Sequence, residues 1–158
     1  MVAPTSDQLR QVMALAPTAV TIVTTAGPQG PAGATANAVT SLSLDPPLML
    51  ACLDRGSRTL EIVRSSGAFG VSVLGAGQEA LARAFASKAP HTEKFREVGY
   101  SDREGVPILE GAIAWVSCRL LELHPGGDHE IAVGDVLAVG AGGGDPLVFV
   151  GGGYRPLD

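Results

Sequence analysis

The sequence predicts a mainly β protein, an antiparallel barrel with a few short α-helices at its ends. Two observations carry the prediction. About seven strand-like runs follow one another through Gly- and Pro-rich turns, and only about three short stretches have helical spacing. Strands in sequence and linked by turns favour an antiparallel closed sheet, whereas a regular βαβ alternation would argue for a parallel one. The 158 residues are expected to form a single domain, 1–158, large enough to bury a real core. With only 4% aromatic residues, that core must be built mainly from Val, Leu, Ile and Ala.

Each element has a local reason. Thr5, with Gln8 three residues on, is a capping-box pattern, and Leu9, Val12, Met13 and Ala16 then fall on one helical face before Pro17. Val20 to Thr25 is rich in β-branched residues, and Gly27-Pro28-Gln29-Gly30 is turn chemistry. The run Ala34 to Pro47 reads as the next strand, bending at Pro46-Pro47, and Leu48 to Leu53 as a buried strand. Asp54-Arg55-Gly56 interrupts it, and Ser57 is placed to cap a helix reaching about Arg64. Phe69 to Leu74 alternates as a strand, and Gln78 to Ala86 has helical spacing. Ser87 to Pro107 is polar and irregular, a loop of functional rather than connecting length. Two long strands, Ala112 to Leu123 and Glu130 to Val139, are joined through Pro125-Gly126-Gly127-Asp128-His129, and Pro146 to Val150 is a last short strand.

Composition narrows the function. A net charge of −5 argues against nucleic acid as a partner, because such binders are usually basic, but it leaves room for a small anion at a local site. Two cysteines and three histidines without a CxxC form no recognisable zinc set, so no metal is expected. Cys52 and Cys118 lie in apolar runs and read as buried thiols, with a disulfide as the alternative. Arg10 stands too close to Ala14-Leu15-Ala16 for a signal peptide, and no apolar run approaches the roughly 20 residues of a membrane span. A cytoplasmic protein without a membrane partner is expected.

The run from Gln11 to Leu44 contains no Asp, Glu, Lys or Arg, and its later part carries Ala, Asn, Ser and Thr where a packing strand would carry larger residues. Such a surface leaves space for something flat with polar edges. Gly75-Ala76-Gly77-Gln78-Glu79-Ala80 fits the dinucleotide fingerprint G-x-G-x-x-A, but antiparallel-looking strands surround it, and a plain strand-to-helix turn is the better reading. Ser57-Arg58-Thr59 at a helix start offers hydroxyls, a guanidinium and free N–H groups for an anion, although a simple capped helix would look the same. Arg83, Lys88, Lys94 and Arg96 add positive charge, diluted by Glu93 and Glu97. His91 and His124 read as surface residues. His129 either projects into a cleft or pairs with Asp128 in its turn. The lack of evident acid–base machinery fits chemistry carried by a bound cofactor.

An ordered series of segments then resembles the flavin reductase-like family, the FMN-binding split-barrel proteins that include reductase components of two-component flavin monooxygenases. The series contains Ala19 to Thr25, Thr35-Ala36-Asn37-Ala38, Ser41 to Pro47, Cys52-Leu53-Asp54-Arg55, Ser57-Arg58-Thr59 and Phe69 to Leu74 with Gln78. It continues with Phe85-Ala86, Lys94-Phe95, Gly105 to Leu109, Ala114 to Cys118, Gly127-Asp128-His129 and Val133 to Leu137. The resemblance implies an antiparallel Greek-key split β-barrel forming a homodimer. It implies an NAD(P)H:flavin oxidoreductase that passes a hydride from NADH or NADPH to FMN or FAD and supplies a partner monooxygenase. Thr35, Ala36, Asn37, Ala38 and Ser41 would line the flavin ring, and Cys52, Leu53 and Asp54 would follow its edge through backbone groups. Ser57, Arg58 and Thr59 would hold the phosphate, and Phe85, Ala86, Lys88 and Phe95 would close over the ribityl or phosphate end. His129 would act on the nicotinamide side as the catalytic residue, with Tyr154 near it. Ser72 departs from the Asn found in many members. Alternatives are an FMN-binding electron carrier or sensor, or a barrel for another flat anionic cofactor such as a deazaflavin or haem.

Overall fold

A computed structural model describes residues 1–157. Its main sheet has seven strands: β2 (Thr21–Gly27), β3 (Gly30–Ala36), β4 (Val39–Leu44), β5 (Pro47–Asp54), β6 (Ala68–Val73), β9 (Ala114–Gly126) and β10 (His129–Ala141). They lie in the order β3-β2-β6-β9-β10-β5-β4, with every neighbouring pair antiparallel. The two edge strands, β3 and β4, are consecutive in the chain and separated only by Asn37 and Ala38. A two-residue link between opposite edges is possible only if the sheet curls until those edges meet. They meet at one end through the Asn37-Ala38 link, where Cys52 N donates to Ala38 O at 2.9 Å and so extends the β4–β5 ladder into the link, and no ladder joins β3 to β4 among the described residues. That closure, tight at one end and open along the rest, is the split barrel.

This geometry corrects the reading of Ala34 to Pro47 as one strand. The stretch breaks at Asn37-Ala38, and its halves pair with different partners: Ala36 opposite Thr21 of β2, Val39 opposite Ala51 of β5. Alternation alone cannot reveal such a break, because both halves keep strand periodicity. The segment 87–107 is also more ordered than expected. It contains α4 (His91–Lys94) and β7 (Tyr100–Arg103), which pairs with β8 (Val106–Leu109). A third small sheet joins β1 (Thr18–Ala19), β11 (Leu147–Val150) and β12 (Gly153–Pro156), of which only β11 was expected.

The helices follow their caps. In α1 (Ser6–Met13) the expected reciprocal bonds form, Gln8 N to Thr5 Oγ1 at 3.2 Å and Thr5 N to Gln8 Oε1 at 2.9 Å. Its apolar face meets no core, for Leu9, Val12 and Met13 all stay exposed. Helix α2 (Arg58–Ser66) starts at Ser57, whose Oγ accepts from Thr59 N at 3.1 Å, and ends at Gly67 in the left-handed conformation. It buries Leu60 and Val63 against a cluster with Val23, Leu53, Phe69 and Cys118. Helix α3 (Glu79–Ala86) buries Ala82 and Phe85 in a second cluster with Ile22, Leu74, Phe95 and Leu147. The glycine motif before α3 is a structural turn. Gly75 N donates to Gln78 Oε1 at 2.9 Å and Gln78 Nε2 donates to Glu110 O at 3.1 Å, so a side chain occupies the space a phosphate would need.

Where β10 crosses β9, Gly134 lets the strands pass over Phe69, since a Cβ there would lie 2.6 Å from its ring. Three leucines sit where the ladders skip a residue: Leu42 in β4, Leu121 in β9 and Leu137 in β10. Each bulge leaves its leucine exposed. Cys118 is buried and its thiol is pushed up to about 12, by burial first and then by the Asp135 charge. Cys52 is only half-buried, against the expectation of full burial, and both thiols are free.

Candidate functional site

At the closed end of the barrel a cavity of about 600 Å³ opens between β3, the β5–α2 turn, the end of α3 and the start of α4. It gathers eight of the residues expected from the sequence: Thr35, Asp54, Ser57, Arg58, Thr59, Phe85, Ala86 and Lys88. The same turn chemistry that ends β5 builds the floor. Asp54 Oδ1 accepts from Gly56 N at 2.6 Å, which folds the chain back so that α2 presents its first turn to the cavity. The unpaired N–H groups of that turn favour an anion.

Arg58 divides its donors. Its Nη2 bonds the carbonyls of Lys88 (3.2 Å) and Ala89 (2.9 Å), fixing the segment after α3, and the rest of the guanidinium fork remains available. Lys94, which the family pattern contained but which was not singled out as a site residue, is buried on the cavity wall. Its Nζ donates to Phe85 O at 3.1 Å and Gly33 O at 3.4 Å. Burial, and then the Arg58 charge, lowers its pKa.

His91 corrects the surface assignment. It lines the cavity, and Gly33 N donates to its Nδ1 at 3.4 Å, which assigns the ring proton of the neutral form to Nε2. That Nε2 is buried and has no partner in the protein. Burial, then the Lys94 and Arg58 charges, lowers the pKa of His91. Nothing in the sequence around Pro90-His91 signals burial, because the contact is with a strand nearly sixty residues earlier. Thr59 Oγ1 is the second orphan of this cavity: the side chain is 1% exposed, yet its hydroxyl makes no hydrogen bond. Buried polar groups are nearly always paired, and here two orphans belong to residues lining one cavity that also carries Arg58, Lys88 and Lys94.

The other expected residues lie around the cavity, and some of those within it have further local roles. Ala36, Asn37, Ala38 and Ser41 lie along the seam where β3 and β4 part, next to Cys52 rather than within the cavity. Thr35 uses its hydroxyl locally, on Ala82 O at 2.6 Å. Cys52, Leu53 and Asp54 continue β5 from the seam to the cavity, with the Leu53 side chain in the core, so backbone groups are what this strand offers. Phe85, which lines the cavity, and Phe95 are packed in the core. Their rings meet edge-on at 4.9 Å inside the second cluster, and Phe95 does not line this cavity. Tyr154 lies apart from it, between Phe149 (5.2 Å) and the Arg83 guanidinium (5.0 Å).

His129 does not line the cavity, but the ladder brings it alongside. It pairs across β10 and β5 with Asp54, and Arg55 N donates to Asp128 O at 3.0 Å, so the two turns are locked together. His129 Nδ1 lies 2.7 Å from Asp128 Oδ1, and this bond holds the Asp128 carboxyl below its ordinary range. The structure thus shows His129 as the partner of Asp128 in its turn, beside the cavity and not in it. Among the described residues no group of three His, Cys, Asp or Glu side chains is placed to hold a metal ion, and no helix is long and apolar enough to cross a membrane.

Comparison with known proteins gives the same direction. A family model described as a flavin reductase like domain matches residues 13–158. An NADH-dependent flavin reductase of a Rhodococcus species is 39% identical over 153 residues, covering 95% of this chain and 85% of that protein. Among solved structures, the NADH:FAD oxidoreductase SgcE6 of Streptomyces globisporus C-1027 superimposes with a TM-score of 0.92 at 38% identity, covering 100% of this chain and 97% of that one. BorF, the flavin reductase component of a bacterial two-component tryptophan halogenase, gives 0.89 at 37% identity, covering 97% and 98%. The barrel, the matched pattern and these relatives agree, and the chain belongs to the flavin reductase-like family.

Proposed function

We propose that this protein is an NADH-dependent flavin reductase, taking FMN or FAD as acceptor and delivering reduced flavin to a separate oxygenase. The observation that carries the assignment of the cradle is the pair of orphaned polar groups, Thr59 Oγ1 and His91 Nε2, on a cavity walled by Arg58, Lys88 and Lys94. A flavin phosphate fits that set by charge and by its acceptor oxygens. When bound, flavin supplies the hydride-accepting ring, and the protein supplies binding and orientation.

Ser57, Arg58, Thr59, Lys88, His91 and Lys94 hold the phosphate. The seam from Thr35 to Ala38 with Ser41, and the backbone of Cys52 to Asp54, offer a flat surface bordered by N–H and C=O groups to the ring. His129 orients the nicotinamide beside it, and Tyr154 takes no part. Hydride transfer needs no proton from a side chain, which accounts for a site without paired carboxylates. Orientation of two bound rings is where the rate gain arises. The test is NADH oxidation by the pure protein with FMN or FAD added. Flavin-dependent turnover is expected, and its absence sinks the enzyme assignment.

A homodimer completes the reading. Leu42, Leu44, Leu121, Leu137 and Val139 all stand exposed on the β4, β9 and β10 strands, an unusual outlay of apolar surface that self-association would cover. Light scattering should give twice the chain mass; a monomer at assay concentration overturns this part. The relation to BorF and the open cradle support release of reduced flavin to an oxygenase partner. Free thiols and dependence on NADH fit a cytoplasmic location.

A further inference from the structure

The β7–β8 hairpin rests on the main sheet through hydroxyls as well as through apolar contacts. Strand β8 packs across β2, β6 and β9, burying Val106, Ile108 and Leu109. Beneath it Thr24, Gly70 and Ser117 stand opposite one another in the ladders and form one row across the three strands. Gly70 makes the dip in that row: a Cβ there would lie 3.0 Å from Ile108 Cδ1 and 3.1 Å from Val106 Cγ2. On either side of the dip a hydroxyl takes hold of the hairpin. Thr24 Oγ1 donates to Pro107 O, and Ser117 Oγ donates to Arg103 O at 3.0 Å. Ser72, two residues along β6 on the same face, accepts from Leu109 N at 3.1 Å. Thr24, Ser72 and Ser117 are all 0% exposed, so none of these bonds competes with water.

Apolar burial alone would hold the hairpin down without fixing where it lies, because that attraction has no direction. Hydrogen bonds do have direction. These reach the end of β7 and two positions on β8, and so fix the hairpin's register; a slip of one residue would move it by about 3.3 Å. The element next to it is α4. This helix has four residues, too few to hold itself in place, and its two bonds to Gly33 are both 3.4 Å long. Only residues 95–99 separate it from β7. Across that short link the Tyr100 ring meets Phe95 edge-on at 5.6 Å, and Glu110 N donates to Gly99 O at 2.9 Å. The hairpin is thus the support on the C-terminal side of α4.

We propose that Thr24, Ser72 and Ser117 are positioning residues for the phosphate cradle, acting through the β7–β8 hairpin and α4 on His91 and Lys94. The inference rests on the flavin reading of the cradle. None of the three lines the cavity, so any effect they have on flavin binding travels through the hairpin.

The test uses Thr24→Val and Ser117→Ala, singly and together, with Thr24→Ser as the variant that keeps the hydroxyl. FMN binding is titrated by flavin fluorescence at a temperature where the melting curve shows each protein fully folded. Amide hydrogen exchange is followed in the flavin-free proteins. Each hydroxyl-free single variant should bind FMN roughly threefold to thirtyfold more weakly, and Thr24→Ser should keep the wild-type affinity. Exchange of the Lys94 and Phe95 N–H groups, now bonded to Pro90 O and His91 O, should quicken. A lower Tm with unchanged FMN affinity in the folded double variant would leave the hydroxyls an ordinary structural role and overturns the proposal. An equal loss of affinity in Thr24→Ser does the same, since the hydroxyl would not be its cause. If the double variant fails to fold, the single variants give the same readings. If the wild-type protein binds no flavin, it is the reading of the cradle that falls. Exchange then judges the positioning alone: quickening that reaches residues 91–95 supports it, and quickening confined to residues 100–109 overturns it.

Discussion

Thr59→Val should move stability and flavin binding in opposite directions. In the absence of flavin the variant is expected to be more stable, because a buried hydroxyl with no partner is replaced by a methyl of similar size. Relief of an unsatisfied buried group is worth about 1 kcal/mol, which for a chain of this length raises Tm by about 2–4 °C. Flavin affinity should fall by about tenfold or more, since a hydrogen bond to a charged phosphate contributes about 1.5–3 kcal/mol. An ordinary packing role for Thr59 would not produce this pairing of signs. Unchanged flavin affinity would remove the phosphate from this cavity, whatever the Tm did.

The same cradle predicts a pH signature. His91 titrates below its ordinary value of 6.5, through burial and the Lys94 and Arg58 charges. For a base with a lowered folded pKa, the unfolded chain binds the extra proton. This contribution to stability is therefore fully present above 6.5, and it is lost as pH falls from that value through the lower pKa of the folded protein. A bound phosphate reverses the local charge and favours the imidazolium, whose new proton on Nδ1 displaces the weak bond from Gly33 N, and binding takes up a proton. Affinity for FMN should rise as pH falls toward the ordinary imidazole range. His91→Gln should flatten that rise, and because the phosphate's own titration is common to both proteins, the difference in slope is the measurement. Equal slopes would place His91 outside the binding site.

What the sequence revealed of this site, and what it hid, follows from the range of each interaction. Ser57 was legible as a cap because its bond reaches only two residues along the chain, and Thr5 with Gln8 for the same reason. The phosphate cradle was half legible, since Ser57, Arg58 and Thr59 are contiguous. Its other half was not. His91 and Lys94 reach Gly33, which lies 58 and 61 residues earlier, and their burial depends on how α4 sits on β3. The break at Asn37-Ala38 escaped notice because a chain can change partner strands without changing its periodicity. The packing of Phe85 and Phe95 in one core cluster is not legible either. An aromatic residue beside a polar segment looks the same in a core as on a cavity wall. The ring contact between them, 4.9 Å across ten residues, decides it. The run from Ala34 onward keeps its first meaning with a sharper outline: it is two strand ends flanking a seam, and the seam is what a flat ring can rest on.

His129→Ala should separate the reaction from flavin binding. The ring is held by one short bond, Nδ1 to Asp128 Oδ1 at 2.7 Å, on a turn that Arg55 N ties to the start of the cradle. With Nδ1–H donated to Asp128, the neutral ring keeps Nε2 as an acceptor. That suits the amide donor of a nicotinamide and gives nothing to a flavin phosphate, whose donors in the proposed cradle are Thr59, Arg58, His91 and Lys94. Loss of the ring removes orientation and not affinity for flavin. Turnover with NADH should therefore fall on the order of tenfold to a hundredfold, the range expected when reacting groups are misplaced by about an ångström. Flavin affinity should stay near the wild-type value, and so should Tm, because the pair with Asp128 is exposed. His129→Asn, which keeps an acceptor at reduced reach, should recover part of the rate. Asp128→Asn, which leaves the ring but weakens its tether, should slow turnover less than His129→Ala does. A loss of flavin affinity with unchanged turnover at saturating flavin would instead put His129 on the flavin. It would then leave the nicotinamide without a side chain of this subunit to orient it.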